Sequence, residues 1–116
     1  PIVLQDKALI CVGEVPENTF VNILEGEKSS LISAAKEAYD ESIDSLESDV
    51  KTFTLFIDCI SRVLFLEDAF DDEIQAVYDK ESTLVGALTL GEIANNKRHY
   101  LEFYNITAVI AKIENG

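Results

Sequence analysis

This sequence predicts an α+β domain, with α/β character in one unit: a mixed sheet of about five to six strands with two helices. Three observations carry that expectation. Two segments, 31–46 and 66–80, place apolar residues at helical spacing. Apolar runs rich in Val, Ile, Leu, Phe and Thr are punctuated by Asp, Asn, Gly and Pro, as strands are. The second helical segment lies between two such runs, which is the pattern of a strand–helix–strand crossover.

Taken in order, residues 2–24 read as β structure. "IVL" is followed by a break at Gln5-Asp6-Lys7, then "ALICVGEV", a turn at Pro16-Glu17-Asn18, and "TFVNIL" as a third short strand. Next, "EKSSLISAAKEAYDESIDSLES" aligns Leu31, Ala35, Ala38 and Ser42, with Ile32, Tyr39, Ile43 and Leu46 alongside. That spacing makes an amphipathic helix with Ser29 or Ser30 as its cap and Glu37, Asp40, Glu41, Asp44 and Glu47 turned outward. "KTFTLFIDCISR" carries apolar groups on both faces and reads as a central strand covered on both sides.

The second helix, Leu66 to Lys80, turns Leu66, Ala69, Phe70, Ile74, Val77 and Tyr78 inward, with Glu67, Asp68, Asp71, Asp72 and Glu73 mostly outward. Its acidic first turn suits the helix dipole. "TLVGALTLGEIA" reads as one two-sided strand, and "YLEFYNITAVIAKI" as a long closing strand reached through the hairpin connection Asn95-Asn96-Lys97-Arg98. The order is β-β(-β)-α-β-α-β-β, with the strands flanking the second helix parallel.

The 116 residues fit a single domain, 1–116, large enough to bury a core without metal or disulfide help. Acidic residues number 22 against 9 basic ones, a net charge of −13. Such a surface repels phosphate backbones and anionic membranes, so neither nucleic acid nor a membrane is an expected partner. The acids are expected on solvated helix faces. The chain starts at Pro1, holds no Met and shows no charged-then-apolar leader, and is expected to be a fragment of a longer cytoplasmic protein. Cys11 and Cys59 lie in apolar runs and are expected as reduced core thiols.

No catalytic signature is present. His99 is the only histidine and is expected at the surface, which leaves no zinc site and no triad, and the acidic runs lack the spacing of a calcium loop. No metal, cofactor or catalytic residue is expected. The polar groups worth following are those at the carboxyl ends of the two parallel strands, the edge where open α/β sheets place ligands. Asp58, Ser61 and Arg62 end one strand, and Gly91 and Glu92 end the other.

A guanidinium at Arg62 and a carboxylate at Glu92 would grip a small zwitterion such as an amino acid, or would pair with each other to close the sheet edge. Gly86 and Gly91 would let the backbone approach a ligand or bend the strand. Asn105 and Thr107 interrupt the last strand and must find partners, either a polar pocket or neighbouring backbone.

The segments "DCISR" (58–62), "GALTLGEIA" (86–94) and "LEFYNITAVI" (101–110), in this order and spacing, resemble the C-terminal half of the FIST sensory domain. Cys59, Arg62, Gly86, Gly91, Glu92, Ile93, Asn105 and Thr107 match its pattern, and the N-terminal part is similar in order and length. The resemblance implies a non-catalytic, cytoplasmic ligand-sensing module of prokaryotic signalling proteins. It implies a small-molecule ligand, an amino acid being one class, with a FIST N-terminal domain and a signalling output domain as partners in the same longer chain. The ligand-binding residues would be Arg62, Gly91, Glu92, Asn105 and Thr107. Two departures stand out: Tyr104 precedes Asn105, and Lys97-Arg98-His99 replaces a Gly-rich turn. The rival reading is an acidic protein-interaction or scaffold module whose helices dock a basic partner.

Overall fold

The computed structural model describes residues 2–11, 14–22, 24–43, 51–95 and 100–114. The amino-terminal hairpin pairs β1 (Ile2–Gln5) with β2 (Ala8–Cys11), antiparallel, in register Gln5 opposite Ala8. Asp6 and Lys7 both take positive φ, the two-residue turn that matches strand twist. Thr19 then closes the Pro16 turn, its hydroxyl donating to the Pro16 carbonyl at 2.7 Å. The third strand expected after it does not form among the described residues: 19–22 and Leu24 have no strand structure, and Phe20, Val21 and Leu24 are exposed to solvent.

α1 (Lys28–Ile43) follows, with Ala35 and Tyr39 buried. Ser30 lies in its first turn and its hydroxyl accepts the Glu27 N–H at 2.9 Å, the reach-back half of a capping box. The part of the expected helix holding Asp44, Leu46 and Glu47 lies outside the described residues, as do Asn96, Lys97, Arg98 and His99.

β3 (Thr52–Cys59) is the centre of a three-stranded sheet. It pairs in parallel with β4 (Thr83–Thr89), Phe56 opposite Gly86, and antiparallel with β7 (Ala108–Glu114), Asp58 opposite Ala108. The parallel crossover is thus present, and the architecture is α+β as expected. One face of the sheet packs under α1 and the following helices, with Ala35, Tyr39, Phe56 and Val77 as the core. Lys112 reaches over the Tyr39 ring at 4.8 Å from that face. The other face, carrying Phe53, Leu55 and Ile57, is only half-buried, so β3 is central by pairing but covered on one side.

Between β3 and β4 the helical segment starts earlier than expected and breaks in the middle. α2 (Ile60–Leu66) begins directly at the strand end, residues Glu67–Ala69 make a 3-10 turn, and α3 (Phe70–Val77) completes the crossover. The break is at Glu67, whose φ of 54° and ψ of −124° end α2. Lys28 holds this corner, its ammonium donating to the Leu66 carbonyl at 2.9 Å and to Glu67 Oε2 at 3.0 Å. Tyr78, expected inward, lies past the end of α3 and is exposed.

The two long apolar runs are also each split. β4 gives way at Leu90-Gly91 to β5 (Glu92–Ala94), which pairs antiparallel with β6 (Glu102–Tyr104) as the expected hairpin. A turn at 105–107, with Ile106 at φ 57°, separates β6 from β7. The described strands therefore fall into three sheets, β1-β2, β4-β3-β7 and β5-β6. Cys59 is buried as expected, whereas Cys11 is exposed, as are the other residues of β2.

A non-glycine residue at the Glu67 dihedrals stores backbone strain of about 1–3 kcal/mol, while an exposed ion pair such as Lys28–Glu67 is worth less than about 1 kcal/mol. Glu67→Gly is therefore expected to raise stability by about 1 kcal/mol in urea unfolding. An unchanged or lower midpoint would show that no strain is stored at this corner.

Candidate functional site

β3 delivers Asp58 and Cys59 to the carboxyl edge of the sheet, and because α2 starts without a loop, Arg62 emerges one helical turn above Asp58. The Arg62 Nε lies 3.1 Å from Asp58 Oδ1. Its Nη2 donates to Glu73 Oε1 of α3 and, at 3.0 Å, to the Leu31 carbonyl of α1. One guanidinium thus ties a strand and two helices together. Arg62 is 5% exposed, and Asp58 and Glu73 are fully buried.

Glu92, at the start of β5, is also buried, and its Oε1 accepts the Thr89 hydroxyl at 2.8 Å. Arg62 and Glu92 are therefore engaged with different partners: pairing with each other, one of the two arrangements expected, is not among their contacts. Glu73, expected outward, is the acid that takes its place beside Arg62. It lies four residues before Val77, on the same inward stripe, which is the signal that could have found it.

The electrostatics of this cluster are unbalanced. Two buried carboxyl groups, Asp58 and Glu73, meet one guanidinium, with the buried Glu92 felt at Asp58, and Asp58 Oδ2, Glu73 Oε2, Glu92 Oε2 and Arg62 Nε each lack a hydrogen-bond partner. Burial pushes the Asp58 carboxyl up to about 7, with the neighbouring Glu73 carboxylate adding to the rise. Arg62 and the Cys59 N–H, which donates to Asp58 Oδ1 at 2.9 Å, pull the other way, and Glu92 adds a smaller push upward. Among the described residues, no group of three or more His, Cys, Asp or Glu side chains is placed to hold a metal ion.

Asn105 and Thr107 sit together at the turn that delivers β7 to the same edge. The Cys59 N–H donates to the Thr107 carbonyl at 3.2 Å, the Thr107 hydroxyl donates to the Asn105 carbonyl at 3.2 Å, and the Cys59 thiol lies 3.6 Å from Asn105 Oδ1. Their first role is thus to pin the turn onto the end of β3. Gly91 packs beneath Phe103, where an added Cβ would sit 2.5 Å from the ring. Gly86 faces the Phe56 carbonyl, which a Cβ would approach to 2.0 Å. Both glycines are spent on close packing within the protein.

Beside this turn, between the second half of α1, β7 and the β5–β6 hairpin, lies an open cleft of about 330 Å³. Glu41, Ser42, Asn95, Tyr104 and Thr107 supply its polar lining, and Ala108 and Ile110 part of its apolar wall. Of the residues expected at a ligand site, Thr107 lines this cleft. Arg62 and Glu92 belong to the buried cluster at the same sheet edge and are not among its lining residues.

The crossover, the ionic cluster at its carboxyl edge and the neighbouring cleft define an α+β domain that gathers its polar groups at one end of the central sheet. The family model of the FIST C domain matches residues 2–95, and the chain belongs to that family. This is a family of sensory domains in signal transduction. No curated protein and no solved structure matches the chain. Among the described residues, no helix is long and apolar enough to cross a membrane.

Two outcomes test the cluster. Replacing Arg62 by Met leaves buried acids without their cation, and Arg62→Met is expected to cost about 3–5 kcal/mol in denaturant unfolding; a loss under about 1 kcal/mol would mean the ion pairs are idle. For Asp58 the sign follows from its raised pKa. The native state keeps the proton up to about 7, whereas the unfolded chain releases it near 3.8. The native state therefore binds the extra proton between those values, and its stability falls as pH rises through them. The melting temperature should drop from pH 5 to pH 8, and by less in Asp58→Asn. An equal drop in both proteins would assign the pH dependence to other groups.

Proposed function

We propose that this domain is a non-catalytic sensor that binds a small polar molecule, an amino acid being the class that fits best, at the carboxyl edge of its central sheet. The observation that carries the reading is the cleft beside Thr107. It sits where β7 meets the end of β3, the edge at which sheets with parallel crossovers hold ligands. Its volume is at the small end of the range for ligand pockets, which suits a metabolite of amino-acid size. Its lining mixes an acid, three hydroxyls and an amide with apolar wall, the combination that orients a zwitterion without reacting with it.

In this reading Thr107 contacts the ligand and Asn105 positions it through the turn. Arg62 and Glu92 anchor the polar floor that fixes the two strand ends, and Gly91 lets Phe103 close the hairpin beside it. Binding in the cytoplasm of a prokaryotic cell would then be relayed to an output domain in the same longer chain, with a FIST N-terminal domain as the neighbouring half of the sensor.

The test is a thermal-shift and calorimetric screen of the twenty amino acids against the chain and its Thr107→Val and Glu92→Gln variants. A ligand at a hundred times its Kd stabilises the native state by about 2.7 kcal/mol, so a binding amino acid should raise the melting temperature in a saturable way. The shift should vanish in Thr107→Val, which keeps its side-chain volume and loses its hydroxyl. Absence of any saturable shift, or a shift unaltered in both variants, would overturn the assignment to this edge.

A further inference from the structure

The second edge of the central sheet points to a partner, independently of the ligand reading. β4 pairs with β3 on one side, and on the other no described strand pairs with it. Val85, Gly86, Ala87 and Leu88 are all exposed, with Val85 at 51% and Leu88 at 49%. Edge strands are ordinarily blunted by a lysine, a proline or a bulge, because their free N–H and C=O groups invite pairing. None of these devices is present. In a chain of net charge −13, residues 82–91 carry no charge at all.

The strand also has an unusual sequence symmetry. Thr83-Leu84-Val85-Gly86-Ala87-Leu88-Thr89 reads Thr-Leu-apolar-Gly-apolar-Leu-Thr in either direction. A two-fold axis through Gly86 would place Thr83 opposite Thr89, Leu84 opposite Leu88, Val85 opposite Ala87, and Gly86 opposite its own copy. Every pair then matches in chemistry and in face, the condition for an isologous interface. Threonine and apolar pairs are favourable across antiparallel strands, and with glycine at the axis the self-paired position adds no side chain to either face of the sheet.

The surfaces on either side of the strand agree. Beneath it, an apolar groove of about 310 Å³ runs between α3 and β4, lined by Phe56, Phe70, Ile74, Leu84 and Leu88. Above it, Val85 and Ala87 continue the half-buried apolar face of Phe53, Leu55 and Ile57.

We propose that β4 is a dimerisation edge, and that two copies of this chain join their β4 strands antiparallel about Gly86 into one continuous six-stranded sheet, β7-β3-β4-β4-β3-β7. The occupant is a second copy because the strand is complementary to itself.

The experiment measures mass by sedimentation equilibrium and maps the contact by disulfide cross-linking. The chain should reach twice 12.9 kDa at high micromolar concentration. Val85→Lys, at an exposed position with like charges brought together about the axis, should raise the dimer dissociation constant at least about tenfold while its circular dichroism stays unchanged. In a Cys11→Ser background, Val85→Cys combined with Ala87→Cys should give a disulfide-linked dimer on oxidation, and Val85→Cys alone should give little, because two copies of residue 85 lie diagonally apart. The cross-link decides the matter even where the lysine variant folds poorly. A mass of 12.9 kDa at every concentration, or a dimer that forms no 85–87 cross-link, would overturn the proposal.

Discussion

The arrangement of this domain depends on one buried guanidinium. Arg62 stands at the point where β3 turns into α2 without a loop, and from there it reaches back to the acid at the end of β3, to an acid on α3 and to a backbone carbonyl on α1. No apolar side chain at that position would fix all three elements, because dispersion contacts tolerate sliding and rotation whereas a planar donor fork demands acceptors in set directions. The core itself is small: Ala35, Tyr39, Phe56 and Val77, with partly buried neighbours around them. With so little apolar material to determine how the helices sit on the sheet, directional contacts from Arg62 fix their orientation. The Lys28 contacts to Leu66 and Glu67 then hold the start of α1 against the end of α2.

Much of this was legible in the residues. Helical spacing and strand punctuation give the order of elements, and the strand–helix–strand unit gives the parallel pair and the edge at which Asp58, Arg62 and Glu92 gather. The breaks were less visible for a physical reason. A bend at Leu90-Gly91 leaves apolar residues on both sides of it, so "TLVGALTLGEIA" looks continuous although it forms two strands in different sheets. The same holds at Ile106, whose left-handed conformation is not one that an isoleucine advertises.

The inward acid Glu73 was hidden by its neighbours. Asp71, Asp72 and Glu73 read together as a solvated, dipole-favoured first turn, and only the register with Val77 separates the third from the other two. Sequence order puts Glu92 at the end of the neighbouring strand, within reach of Arg62, as one candidate partner. The partner came instead from a helix eleven residues away, which a motif written along the chain does not express.

The cost of such a cluster says something about its purpose. Burying one cation with two carboxyl groups, and a third close to Asp58, gains little net stability, since the desolvation of each group offsets much of the attraction between them, and a well-packed apolar substitute would do as well. What the ions provide is a single geometry together with sensitivity to anything that changes the local field. Asp58 is held with a proton affinity near neutrality by burial and by its neighbours Glu73 and Glu92. A change at Glu92 or Thr89 is therefore felt electrostatically at Asp58, and through Arg62 at α1 and α3. The carboxyl ends of β3 and β4 and the two helices above them form one electrostatic unit, and the turn at Asn105–Thr107 is pinned to that unit by the Cys59 N–H. A side chain engaged beside Thr107 thus lies only one hydrogen bond from the backbone that carries the cluster, which gives this edge of the sheet a short physical route from its cleft to its helices.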